Sequence, residues 1–326
     1  LCLWAPRLER MNAVKREQIT AVKQMPFTQH SGSCRTEMNS LLADAVNSWF
    51  ATNARDLPWR RPGFTAWGTL VSEFMLQQTP VARVIPRLEE WLKRWPTPTA
   101  LAADSPGDAI RAWQSLGYPR RALWLHACAI TIVEKHEGVV PREVAALFAL
   151  PGVGDYTARA VSAFAYGDRH PVVDTNIRRV IARAVGGHAE PTLPNARRDL
   201  AAMAALLPIN ESSARSFNAA MMELGAIVCT ARNPRCDSCP IRTLCAWRAA
   251  EYPDYEGKRK AVQKKYEDSD RQVRGLVLAT LRAATSNVSM NEIELLWSNS
   301  EQLNRALAGL LSDGLAIAHD DGYSLP

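Results

Sequence analysis

From about Ser40 to Ala250, apolar residues recur at three- and four-residue intervals, the period of a helix with one buried face. LLADAVNSWF and PRLEEWLKRW carry that stripe, and so does EVAALFALPGVG up to its Pro-Gly break. No run in this region alternates with the two-residue period of a half-buried strand. Proline and glycine punctuate the stripes at Pro96-Thr97-Pro98, Gly117-Tyr118-Pro119, Pro151-Gly152, Gly186-Gly187 and Pro194. The pattern predicts a series of helices joined by short turns, with no repeat at solenoid periods.

After Ala250 the pattern changes. YPDYEGKRKAVQKK is a polar connector, made basic by Lys258, Arg259, Lys260, Lys264 and Lys265. Beyond it, periodicity predicts helices over about 270–284, 290–297 and 300–313. Ser289 with Glu292, and Ser298 with Glu301, have the spacing of capping boxes. LAIAHDDGYSL then reads as two short strands around Asp321-Gly322. Three helices and a hairpin predict a small winged-helix-like domain over 266–326, joined by a linker at 251–265. Residues 1–38 show no sustained periodicity and are expected to form a disordered extension.

The 47% hydrophobic and 22% charged content over 326 residues is that of a globular protein with room for two compact domains. No apolar run approaches the roughly 20 residues of a membrane helix, so a cytoplasmic protein is expected. Net charge is +6, but 266–326 carries nine acidic residues against four arginines, or −5, leaving +11 on the rest. That surplus suits a polyanion, because each cation set against a phosphate releases counterions. A merely soluble basic protein has the same composition.

Four of the seven cysteines fall within one short loop, spaced C-x6-C-x2-C-x5-C from Cys229 through Cys236 and Cys239 to Cys245. In a cytoplasmic chain such crowding points to a metal site. Four thiolates can occupy the four irons of a cubane cluster. A four-thiolate zinc site is the competing reading, but it usually has two close pairs, and only Cys236 and Cys239 form one here. A second motif is LPGVGDYTA, Leu150 to Ala158. Gly152, Val153 and Gly154 permit a tight turn with bare backbone N–H groups ahead of a helix, a seat for phosphate; a plain helix-to-helix turn is the alternative. In WGTLVSEFMLQQT, Leu70, Val71, Phe74 and Met75 form a stripe with Glu73 at its edge. A carboxyl beside apolar neighbours has reason to keep its proton, as a general acid must, whereas a solvated Glu does not. Asp174, in PVVDTNIRRV, stands where an extended apolar segment meets a helix. A helix cap is its ordinary role, and a capping carboxylate held ionised by backbone N–H groups could also stabilise a cation.

LPW, SEFMLQQT, LGY, LPGVGDYTA, VVDTNIRRV, MMELGA and the cysteine loop follow one another as in the helix-hairpin-helix DNA glycosylases. Together, from about Arg55 to Cys245, they resemble the adenine glycosylase (MutY) branch. The resemblance implies an all-α, two-domain core with an iron–sulfur cluster loop. A six-helix barrel over 59–169 would carry the hairpin, and 39–58 with 170–250 would form the cluster domain, Glu73 and Asp174 facing each other across a cleft. It implies a monomer acting in the bacterial nucleoid on double-stranded DNA with A opposite 8-oxoguanine or G, holding one 4Fe-4S cluster. Glu73 matches the acid that protonates adenine at N7 and helps activate water. Asp174 matches the carboxylate that stabilises the sugar cation, with Asn176 its orienting neighbour. Leu57, Trp59, Arg60, Leu76 and Glu223 match the pocket for the flipped base, while Gln78 and Tyr118 match residues that wedge into the duplex. Tyr156 stands where lyase relatives carry a Schiff-base lysine, which implies glycosylase action alone.

Two departures accompany this resemblance. Pro119 follows Tyr118 where a second tyrosine is usual, and 266–326 lacks the Nudix-like pattern of many members. The acidic tail is expected to pack on the core or bind a protein, with the basic connector touching DNA. Two other readings fit part of the pattern: a thymine or uracil mismatch glycosylase, and a DNA-binding protein without catalysis.

Overall fold

A computed structural model describes residues 32–257 and 266–326. Most of the N-terminal extension and the whole cationic run Lys258–Lys265 lie outside the described residues. In chain order the helices are α1 (Gly32–Asn53), α2 (Ala66–Leu76), α3 (Val81–Arg94), α4 (Pro98–Ala102), α5 (Pro106–Trp113), α6 (Arg120–His136), α7 (Val144–Phe148) and α8 (Asp155–Val161). They continue with α9 (Thr175–Ala184), α10 (Ala196–Leu206), α11 (Glu211–Ile227), α12 (Ala246–Ala249), α13 (Asp270–Ala283), α14 (Met290–Glu294) and α15 (Ser300–Ser312). The strands β1 (Ile317–His319) and β2 (Gly322–Ser324) pair antiparallel, and Tyr323 also bridges to Val288.

The chain divides into two compact units, after Arg55, after Tyr166 and again within the cationic run. The first contains α1 and α9–α12. Its core gathers Leu42 and Val46 of α1 with Ile177 and Val180 of α9 and Phe217, Met221 and Leu224 of α11. Helix α1 starts at Gly32, inside the segment expected to be disordered, and Met38 is buried. Of the side chains described over 35–38 only Met38 is buried, and a single apolar position makes no stripe in the sequence. Buried Asn218 of α11 accepts from the Val172 N–H (3.0 Å) and donates to the His170 carbonyl (3.0 Å). Those bonds satisfy the extended segment that leads into Asp174, which has no strand partner.

The second unit contains α2–α8 together with the tail. Trp91, Trp95 and Trp113 stack edge to face at its centre, with centroids 4.5 and 5.7 Å apart. Buried tail residues Val277, Leu281, Leu303 and Leu310 belong to the same continuous core as the barrel residues, so the tail is not a separate domain. Helix α13 packs on α5, and Arg282 donates to the Ile110 carbonyl (3.2 Å). Asp313, at the end of α15, receives both Arg120 (3.1 Å) and Arg274. The Ser289–Glu292 capping box forms as expected. At α15 the cap moves by one residue: the Asn299 side chain accepts from the Gln302 N–H (3.0 Å), displacing the Ser298–Glu301 box, since Asn caps as well as Ser.

Deleting 266–326 should therefore uncover the α5 surface around Ala109 and Ile110, both fully buried. A buried aliphatic side chain is worth about 1.5–3 kcal/mol, and 1 kcal/mol shifts a midpoint by roughly 2–4 °C at this size. Calorimetry of a chain ending at Lys265 is expected to show a midpoint lower by on the order of 10 °C. An unchanged midpoint would mean that the tail does not share the barrel's core.

Candidate active site

Helix α2 opens with the Thr65 hydroxyl accepting from the Gly68 N–H (3.0 Å). Nine of its eleven residues are buried, Thr69, Ser72 and Glu73 on one face included, so it is a central helix whose polar side is covered as well as its apolar stripe. Glu73 lies in its middle, 8% exposed. The solvated reading of Glu73 is thereby excluded. Leu76, one turn on, is half-buried against the same core, as is Trp59; Leu57 is buried beside the short helical turn Pro58–Arg60.

The glycine turn ahead of α8 packs on α2 through Gly152. Its φ is +74°, and a Cβ there would come within 2.6 Å of Trp124 and 2.9 Å of Phe74, so no other residue fits. Gly154 differs: its backbone is extended, and nothing lies within 4 Å of a Cβ placed on it. It leaves the turn's surface bare, while Val153 is anchored in the core. Tyr156 is half-buried in the first turn of α8. The end of α2 also meets the Gly117-Tyr118 turn, where the Tyr118 hydroxyl donates to Gln78 Oε1 (2.7 Å). Both side chains are exposed, Tyr118 by 50%. Pro119 stands directly ahead of α6, where its missing N–H leaves no bond unmade.

In the other unit, Asp174 caps α9. Its Oδ1 accepts from the Ile177 N–H (2.7 Å) and its Oδ2 from Asn176 Nδ2 (2.7 Å). Burial pushes its carboxyl above the ordinary carboxylate range, against those hydrogen bonds and the nearby Arg179, which favour the charge. Backbone donors alone therefore do not set its ionisation, contrary to the expectation drawn from capping. Arg179 was not singled out in the sequence, yet it holds Asn176 Oδ1 (2.8 Å), the Gly225 carbonyl (2.6 Å) and the Cys229 carbonyl (2.8 Å), tying the cap to the cysteine loop. Glu223, 1% exposed, is clamped by Arg55: Nε on Oε1 and Nη2 on Oε2, both 2.8 Å, with the Arg55 N–H on Oε1 at 3.0 Å. Nothing in RDLPWR marks Arg55 for this, because its partner lies on α11.

Cys229, Cys236, Cys239 and Cys245 line one cavity, walled by Val180, Leu224, Val228 and Ile241. Arg183, nearly buried, donates to Cys229 Sγ (3.4 Å) and the Thr230 carbonyl (2.7 Å), with its guanidinium 4.7 Å from the Trp247 ring. Burial, joined by the other three sulfurs, pushes the Cys239 thiol up to about 12. Thiolates among such walls require cations between them. Among the described residues no three Cys, His, Asp or Glu side chains close on a single-ion site. Four thiols around a cavity fit a cluster, each sulfur on its own iron, better than one tetrahedral zinc.

Residues 71–204 match the HhH-GPD superfamily base excision DNA repair protein family, and 229–245 match the iron–sulfur binding domain of endonuclease III. The chain is 52% identical over 281 residues to the adenine DNA glycosylase of Mycobacterium tuberculosis, covering 86% of this chain and 91% of that one. The chain belongs to the adenine DNA glycosylase family. It is a base-excision DNA glycosylase that binds DNA and carries a 4Fe-4S cluster on its four-cysteine loop. A thermostable thymine-DNA glycosylase superposes with TM-score 0.60 at 27% identity, over 65% of this chain and 96% of that one. Endonuclease III in a non-covalent DNA complex has the same fold, with TM-score 0.57 at 22% identity over 66% and 97%. No helix among the described residues is long and apolar enough to cross a membrane.

Proposed function

We propose that this glycosylase removes adenine opposite 8-oxoguanine or G by hydrolysing the N-glycosidic bond, without cutting the strand. The observation that carries the reading is Glu73, a carboxyl buried in the middle of α2 within SEFMLQQT, the segment resembling the adenine-specific branch. Glu73 gives its proton to N7, and the glycosidic electron pair leaves with the neutral base. Asp174 bears the charge that opposes the cation left on the sugar, and Asn176 orients it through Oδ2. Glu73, as carboxylate, then takes a proton from the water that adds to the anomeric carbon.

The target must leave the stack to be reached. In this reading Leu57, Trp59, Arg60, Leu76 and Glu223 are residues that touch the extruded base when DNA is bound, and Gln78 and Tyr118 hold the duplex open. The Gly152–Gly154 turn seats a backbone phosphate. Tyr156 offers no amine for a Schiff base, so strand cleavage is absent. Hydrolysis moves no electrons, so the cluster serves to hold its loop, with Arg232, Arg235 and Arg242, in a shape that meets DNA. The tail is acidic and docked, which leaves recognition of the opposite base to the rest of the chain. A protein partner for its outer face is compatible with that role, as is action in the bacterial nucleoid.

The test is an excision panel with A, T or U opposite G or 8-oxoguanine. Adenine release from both contexts is expected, with strand breaks only after alkali. Thymine or uracil release at a comparable rate would favour the mismatch-glycosylase reading, and binding without release the non-catalytic one.

A further inference from the structure

Buried Arg121 does more than pack. It lies in the first turn of α6 and is 2% exposed. Its Nη1 donates to the carbonyls of Phe74 (2.7 Å), Met75 (3.1 Å) and Gln77 (2.6 Å), three carbonyls at the C-terminal end of α2. Such carbonyls lack helical partners, and a cation suits them. Its Nη2 reaches the other way, to Thr79 Oγ1 (3.0 Å) and the Gly117 carbonyl (2.9 Å). Thr79 Oγ1 donates onward to the Leu116 carbonyl (3.1 Å). One guanidinium thus joins the loop carrying Gln78 to the turn carrying Tyr118.

Both of those residues have left-handed backbones, with φ 54° at Gln78 and 48° at Tyr118. Residues other than glycine hold that conformation only where their surroundings fix it. Here the fixing groups are the Gln77 carbonyl ahead of Gln78 and the Leu116 and Gly117 carbonyls ahead of Tyr118, held by Arg121 and Thr79. The Arg121 guanidinium also lies 5.4 Å from the Tyr118 ring and 5.2 Å from the Trp113 ring. Burial lowers its pKa only to about 10, so the cation persists at neutral pH under the two exposed side chains.

We infer that Arg121 is a positioning residue that couples the acid to the wedge. By gripping the two carbonyls directly after Glu73, the carbonyl just ahead of Gln78 and the one just ahead of Tyr118, it fixes how far an extruded base lies from the proton donor. The inference rests on the proposed wedge role of Gln78 and Tyr118. A plain helix cap would need only the first set of bonds. Lysine keeps the charge but cannot present two N–H pairs in opposed directions, so Arg121→Lys should not rescue.

The experiment uses the full chain with its cluster and a duplex bearing 8-oxoguanine opposite a non-hydrolysable 2′-fluoro adenosine, with 2-aminopurine beside it to report unstacking. Arg121→Lys and Arg121→Gln should lose most of the fluorescence rise. Single-turnover release from the matching natural duplex should fall roughly tenfold or more, the scale expected when a positioned group shifts slightly. Affinity for undamaged duplex and cluster absorbance should stay as they are. Thr79→Val, which cuts one strut with almost no change in volume, should show the same pattern in milder form and decides the matter if neither Arg121 variant folds. Unchanged fluorescence and rate in the folded variants would overturn the inference, and so would an equal loss of binding to undamaged duplex. Gln78→Ala and Tyr118→Ala separate the two levels. If they too leave the fluorescence intact, the wedge reading itself falls; if they abolish it while the Arg121 and Thr79 variants do not, only the role of Arg121 falls.

Discussion

Glu73→Gln is expected to bind an adenine mismatch as tightly as the unchanged chain and to release adenine slower by about 10²–10⁴-fold, the range of a positioned general acid. The substitution preserves shape and hydrogen-bonding reach but leaves no acidic proton. Folding should survive it: Glu73 sits in a helix buried over nine of eleven residues, and a neutral amide is no harder to bury there than a carboxylate. Single-turnover release, with the melting midpoint and mismatch affinity measured on the same preparation, checks each clause. A rate within about tenfold of the unchanged chain would place the proton donor elsewhere, since that is below what such a donor contributes.

What the sequence disclosed and what it hid divide along a physical line. Local chemistry was legible: the glycine turn at Gly152, the cap at Asp174, the capping box at Ser289 and the spacing of the four cysteines each depend on residues a few positions apart. Long-range pairing was not. Arg55 meets Glu223, Arg179 meets the Cys229 carbonyl and Arg121 meets the end of α2, each across a sequence separation that no period reports. Periodicity also misjudged α2: Thr69, Ser72 and Glu73 share one face, as the polar side of a half-exposed helix would, yet all three are buried. The tail's elements lie close to the spans expected of them, and its acidic charge already pointed to packing on the core or on a protein; that Leu281 and its neighbours share one continuous core with α5 is a long-range contact no period reports.

Asp174→Asn separates charge from capping. Asparagine is as good a helix cap as aspartate, so the variant should fold with its midpoint little changed. What it loses is the negative charge, and release is expected to fall by about 10²–10³-fold, the cost of removing one preorganised group facing developing charge. The pH dependence gives an independent reading. Burial raises the Asp174 carboxyl above its ordinary value, so its charge is lost at a higher pH than that of an exposed aspartate. If the charged form is the active one, activity falls as pH drops through that raised value, and the acid limb lies above the roughly 3.9 of a free side chain. Asn176 donates to the charged form, so Asn176→Ala should raise the carboxyl further and move the limb to higher pH. Single-turnover rates across pH for the unchanged chain and Asn176→Ala make the comparison. A limb that stays put, or moves down, would mean that some other group titrates and that Asp174 serves α9 as a cap alone.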